Sequence, residues 1–136
     1  MTTVARGFGL AVLTVTAGAC VLNALIALAA QALGADSAAV PGLTPPAYLT
    51  LTLVGVVLGA AGWTIVRRFA EDPATVLSWL VPLVVVVSLI PDVLIALRLD
   101  AAGGIALGLM HFAVLAVALP TFRRLLPLPE ARRPIR

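Results

Sequence analysis

The chain has 136 residues, of which 62% are hydrophobic and 11% charged, against roughly 45–50% and 25% in soluble domains. That balance excludes an ordinary soluble fold. The net charge of +3 does not point to nucleic acid either, because the basic residues sit at the ends of apolar segments and leave no basic surface over.

Four apolar stretches follow one another, at about 7–33, 47–66, 74–97 and 101–120. Each is near or above the ~20 residues a helix needs to cross a bilayer core. In that core each backbone N–H and C=O must be satisfied within the segment, so the stretches are predicted to be helices. The first follows Arg6 and holds Asn23. Its AQA at Ala30 to Ala32 has the small-x-small form of a signal-peptide cleavage site. The apolar region before that site runs about 24 residues, beyond the roughly 7–15 of a signal peptide, so the span is expected to be retained. Cys20 is the single cysteine. Alone, it cannot form an internal disulfide, a CxxC pair or a cysteine zinc site, and it reads as a small packing residue.

The longest loop, GADSAAVPGLTPP (Gly34 to Pro46), leads to Thr44 and Pro45, a predicted N-cap and first turn for the second span. GVVLG at Gly55 to Gly59 is a small-xxx-small pattern of the kind that lets helices approach closely. Asp72 and Pro73 predict the start of the third span, and Asp100 is predicted to cap the fourth. GIALG, with Gly104 and Gly108, is a second small-xxx-small pattern. The segment 121–136 reads as a short Arg/Pro tail, and LPLPEARRPIR within it is too short to fold alone. The expected fold is all-α: one domain over 1–136, an integral membrane four-helix bundle running up-down-up-down.

All nine basic residues are arginine, which fits a GC-rich genome. Arg6, Arg67, Arg68, Arg123, Arg124, Arg132, Arg133 and Arg136 fall on one side of a four-span chain, and only Arg98 falls on the other. The positive-inside rule then predicts cytoplasmic termini in a multi-pass plasma-membrane protein. Trp63 and Trp79 lie toward the cytoplasmic ends of their spans and Tyr48 toward the opposite face, as amphipathic rings favour the interface. The tail arginines read as topology signals, with anionic-lipid contact as the alternative.

The third span carries Asp92 directly after Pro91, in SLIPDVLIALRLD. Its fifteen Leu, Ile and Val residues contribute about −0.3 to −0.6 kcal/mol each to insertion, against about +2.5 to +3.5 kcal/mol for a central Asp. The helix therefore inserts, but the acid still requires a partner or water. At ~1.5 Å per residue, Asp92, His111, Asn23, Thr50 and Thr52 all fall in the outer half of the bilayer. Ser88 shares a helix face with Asp92. Asp92, His111, Asn23, Thr52 and Ser88 are the candidate polar cluster, and Gly55, Gly59, Gly104 and Gly108 the candidate packing residues. Thr16, Cys20, Asn23 and Ala27 form a small-to-polar stripe on the first span. Pro91 is expected to bend the third span by releasing the carbonyl near Val87, and Pro82 could do the same earlier. Two readings of Asp92 with His111 stay open: a buried pair that fixes helix packing, or a site for a proton, cation or small polar ligand.

No metal site is expected from one His and one intramembrane Asp, and no cofactor is expected. GxSxG, HExxH and phosphate-loop motifs are absent from the sequence. Ser88, His111 and Asp92 are triad residue types, yet two share one helix with no elbow or oxyanion donors, so catalysis is not the expected reading. Arg6, Asn23, SLIPDV with Asp92, and LGLMHFAVLAVALP around His111 resemble an uncharacterised family of small four-span integral membrane proteins common in actinobacteria, a domain of unknown function. The resemblance covers nearly the whole chain and implies the four-helix architecture without an activity. The chain resembles small proton-coupled multidrug exporters in length only, since Asn23 stands where they carry a glutamate. It also lacks the CxxC of quinone-linked disulfide-forming enzymes. The expected role is non-enzymatic assembly in the lipid bilayer, with a second copy or a membrane protein partner and no nucleic acid.

Overall fold

The computed structural model describes residues 2–129, whose regular elements are helices with no strand. The elements are α1 (Thr2–Ala32), a short 3-10 turn (Pro41–Leu43), α2 (Pro45–Phe69), α3 (Pro73–Ser88), α4 (Ile90–Arg98) and α5 (Ala101–Leu125). With α3 and α4 taken as one broken span, four helical segments are long and apolar enough to cross a membrane. Several bounds differ from the sequence reading. α1 starts five residues earlier than expected, and α2 extends to Phe69 so that Arg67 and Arg68 form its last turn. α5 passes through Pro120 to Leu125, so the tail begins later than 121. Arg132, Arg133 and Arg136 lie outside the described residues.

Local chemistry sets the helix ends. α1 stops where Gly34 takes a φ of +98°. Ala35 N–H then bonds Ala30 C=O and Gly34 N–H bonds Gln31 C=O, the paired bonds of a glycine-terminated helix. Asp72 caps α3 by accepting from Thr75 N–H at 3.1 Å, and Asp100 caps α5 by accepting from Gly103 N–H at 3.0 Å. Thr44 precedes Pro45 as expected, but its hydroxyl donates to Pro41 C=O at 2.7 Å and makes no side-chain cap.

The third span breaks at Leu89, as the proline beside it dictates. Pro91 has no N–H to bond Val87 C=O, and its ring crowds that carbonyl. The chain restarts as α4 with Pro91 and Asp92 in the first turn, positions where proline's fixed φ and an acid's charge both favour a helix start. Pro82 lies inside α3 without interrupting it.

Two clusters form the core. One joins Ala11 and Val15 of α1, Val56, Ala60 and Trp63 of α2, Leu77 of α3, and Ala118, Phe122 and Leu126 at the end of α5. The other joins Ala27 and Ala30 of α1, Ala35, Val40 and Leu43 of the following loop, and Ala106 and Met110 of α5. On α1 the buried positions are 11, 15, 19, 23, 27 and 30, a stripe at helical spacing. Five of these six are Ala or Val, so neighbouring backbones come close. Trp63 is not an interfacial anchor: its ring is buried, its indole N–H donates to Leu126 C=O at 2.9 Å, and it packs at 55° to Phe122 with centroids 5.8 Å apart. Trp79 is exposed. The α1–α2 loop is tied to the start of α5 by Asp36 N–H, which donates to Asp100 Oδ2 at 2.7 Å.

Candidate functional site

The candidate polar residues meet in two pairs. On α1, the i, i+4 stripe turns Asn23 inward, where it is 2% exposed. Thr52 holds the matching inward position on α2, four residues before Val56 and eight before Ala60. Asn23 Nδ2 donates to Thr52 Oγ1 at 2.9 Å, while Asn23 Oδ1 has no partner among the described residues. Thr16 Oγ1 is likewise buried without one. Cys20 is half-buried and free.

The second pair joins α4 to α5. The break at Leu89 places Asp92 in a helix first turn, where free N–H groups and the helix dipole favour a carboxylate. The short connection through Leu99 and Asp100 folds α5 back along α4. Gly104 makes the approach close: a Cβ there would collide with N, Cα and Cβ of Ala96. With the helices this near, Asp92 Oδ2 lies 2.9 Å from His111 Nδ1. Nδ1 is also 3.1 Å from Leu107 C=O, one turn earlier on α5. Nδ1 donates to that carbonyl when it carries the proton, and Asp92 Oδ2 meets the imidazole at close range with no well-directed hydrogen bond of its own. The pair is asymmetric: the Asp92 side chain is 9% exposed and the His111 side chain 38%.

Asp92 itself is buried, 6% exposed. The cavity at the α3–α4 break, about 390 Å³, is lined by Val86, Leu89, Ile90, Val93 and Leu94 and is apolar. Asp92 and His111 supply two metal-ligand types, and no group of three or more His, Cys, Asp or Glu stands together among the described residues. Ser88 does not join the pair; its hydroxyl donates to Val85 C=O in its own helix at 2.8 Å. No hydrogen bond among the described residues links the Asn23–Thr52 pair to the Asp92–His111 pair.

The four glycines also separate. Gly104 is the site of close approach. Gly108 would place a Cβ 3.6 Å from Leu89 Cδ2, and Gly59 one 3.8 Å from Phe122 Cε2, both ordinary contacts. Gly55 has nothing within 4 Å, so it packs against no other part of the chain. Sequence reasoning missed Trp63, whose bond to Leu126 holds the segment after α5 beside α2. The available signal was the PLP segment (Pro127 to Pro129) just past the end of α5, which cannot continue a helix and must pack or extend.

No curated protein and no solved structure matches the chain. One family does, over residues 3–127, a range that includes both polar pairs and the α4–α5 turn. The chain belongs to that family, DUF6069, a family of unknown function.

Proposed function

We propose that the chain is a small non-enzymatic protein of the plasma membrane that assembles with itself or with another membrane protein, its two polar pairs fixing how the helices pack. It crosses four times, up-down-up-down, with both termini cytoplasmic, as a single domain. The arginine bias supports this orientation. The contacts support the up-down alternation, since Gly7 lies against Leu125 and Trp63 against Leu126 at one end, while Asp36 meets Asp100 at the other.

The observation that carries the reading is the asymmetry of the Asp92–His111 pair. The acid is buried against its partner, its side chain 9% exposed, which suits a packing role. The imidazole stays 38% exposed on a helix whose exposed side chains Ile105, Leu109 and Phe112 are apolar. Polar groups within a bilayer are satisfied by protein rather than by lipid, so a helix of a second copy or partner supplies the missing cover.

A second reading keeps the pair as a binding site for a proton, cation or small polar ligand, making the protein a transporter or sensor. The break at Leu89 favours it, because interrupted membrane helices whose free ends face a charged group form the binding sites of many transporters. Asp92→Asn and His111→Ala, measured for thermal stability, crosslinked oligomer and proton or cation flux in liposomes, separate the two. The assembly reading expects loss of stability or oligomer and no flux from the parent at any pH. Variants that melt and assemble like the parent while a parental flux disappears would establish the second reading.

A further inference from the structure

A second feature lies at the opposite end of α5 from the α4–α5 turn. The last turn of α2 and the segment after α5 enclose a groove of about 500 Å³, lined by Thr64, Arg67, Arg68, Pro127, Leu128 and Pro129. Its walls are held in place. Trp63 donates to Leu126 C=O at 2.9 Å and packs on Phe122, and Leu126 is 1% exposed, so the Pro127–Pro129 wall is fixed to α2 one residue before the groove begins. Arg67 is half-buried in the groove. Arg68 is exposed, with its guanidinium 5.7 Å from the Phe69 ring centroid. Neither arginine has a carboxylate within ion-pair distance among the described residues, where the pair formed is His111–Asp92. Among the described acids near the groove, Asp72 is occupied in capping α3, and Glu71 is exposed and lies outside the groove lining.

We propose that this groove binds a phosphate group, with Arg67 and Arg68 as the charged donors and Thr64 and the Pro–Leu–Pro wall as its neutral sides. Guanidinium forks match phosphate oxygens two at a time. Two guanidinium charges opposite a neutral wall suit a phosphate group. Depth agrees: α2 has 25 residues, roughly 37 Å at 1.5 Å per residue, so its last turn reaches past a ~30 Å hydrocarbon core to the level of lipid headgroups. The negative end of the α2 dipole steadies the arginines, and the bound anion brings the charge that balances them.

The phosphate has two possible sources, the headgroup of an anionic lipid or a free phosphate from solution. The test uses the full chain in phosphatidylcholine nanodiscs. One arm adds phosphatidylglycerol and counts retained lipid by native mass spectrometry. The other adds inorganic phosphate and follows the fluorescence of a Trp79→Phe background, in which Trp63, bonded to Leu126 next to the groove wall, is the one tryptophan left. Binding in the first arm identifies a lipid and in the second a free ion, and in both it must depend on the two arginines. Arg67→Gln/Arg68→Gln should abolish binding. Arg67→Lys/Arg68→Lys keeps the charges that orient the chain but loses the forks, and should weaken binding roughly tenfold, about one charge-assisted hydrogen bond. Arg123→Gln/Arg124→Gln, outside the groove lining, should bind like the parent. No binding in either arm overturns the proposal. So does binding unchanged in both Arg67/Arg68 variants, or reduced equally by the Arg123/Arg124 variant, which would reveal diffuse charge instead of a site.

Discussion

Gly104→Ala tests how the Asp92–His111 pair is built. The added Cβ would stand 2.6 Å from Ala96 Cα, about 1 Å inside the 3.5–4.0 Å optimum for carbon–carbon contact. The obstacle is backbone, not the tip of a flexible side chain, so α4 and α5 must separate. Overpacking of this kind costs about 1–3 kcal/mol, and the better helix propensity of alanine returns up to about 0.8–1.0 kcal/mol. The net expectation is a loss of up to about 2 kcal/mol, accompanied by separation of Asp92 from His111. Gly108→Ala, 3.6 Å from Leu89 Cδ2, should be near neutral, and Gly55→Ala, with nothing within 4 Å, neutral or slightly stabilising. Cys20 is the single thiol and is half-buried, so a thiol-reactive dye reads unfolding in detergent without further labelling. Melting temperatures should rank Gly55→Ala at or above the parent, Gly108→Ala beside it, and Gly104→Ala well below. A Gly104→Ala protein that melts with the parent would show that the close α4–α5 approach does not exist.

The Asn23–Thr52 bond should show coupling of about 0.6 kcal/mol, and up to about 1.7, in a double-mutant cycle of Asn23→Ala and Thr52→Val read by the same melts; additive losses would mean the two side chains do not interact. Gly103 N–H foremost, with Asp36 N–H, holds the Asp100 carboxyl below its ordinary range, and the Thr75 hydroxyl foremost, with Thr75 N–H, does the same for Asp72. A depressed folded-state pKa means the caps stabilise above the unfolded carboxyl value near pH 3.9 and lose that stabilisation as pH falls through the folded value. Asp100→Asn should therefore melt lower than the parent near neutral pH and show a shallower loss between about pH 5 and pH 3, while parallel curves would contradict a role for the charge.

The helices were legible because each runs about the length of a bilayer core and is punctuated by residues with one physical reading. Asp72 and Asp100 act as the caps their positions predict, and Pro91 breaks the third span where its missing N–H requires. The inward faces were harder to read. In a membrane segment both the core side and the lipid side are apolar, so hydrophobic periodicity carries little information. The stripe traced through Thr16 and Cys20 followed polarity, whereas α1 buries Ala11, Val15 and Ala19 one position away. Asn23 and Ala27 fall on both stripes. The two glycine patterns look alike in sequence, yet only GIALG meets a backbone, because Gly55 to Gly59 turns toward open space and an ordinary ring contact. Depth along the helices grouped the polar residues, but they meet two by two, Asn23 with Thr52 through a hydrogen bond and Asp92 with His111 through a close polar contact, since helix rotation, which sequence does not specify, decides which neighbours meet.

The most direct measurement is the coupling between Asp92 and His111. Asp92→Asn, His111→Ala and the double variant, melted in one detergent beside the parent, give the interaction energy free of each residue's separate effects. A pair that fixes packing should couple by at least about 0.6 kcal/mol, as much as an average hydrogen bond between membrane helices, with each single variant less stable than the parent. Additive effects, or a single variant as stable as the parent, would contradict it.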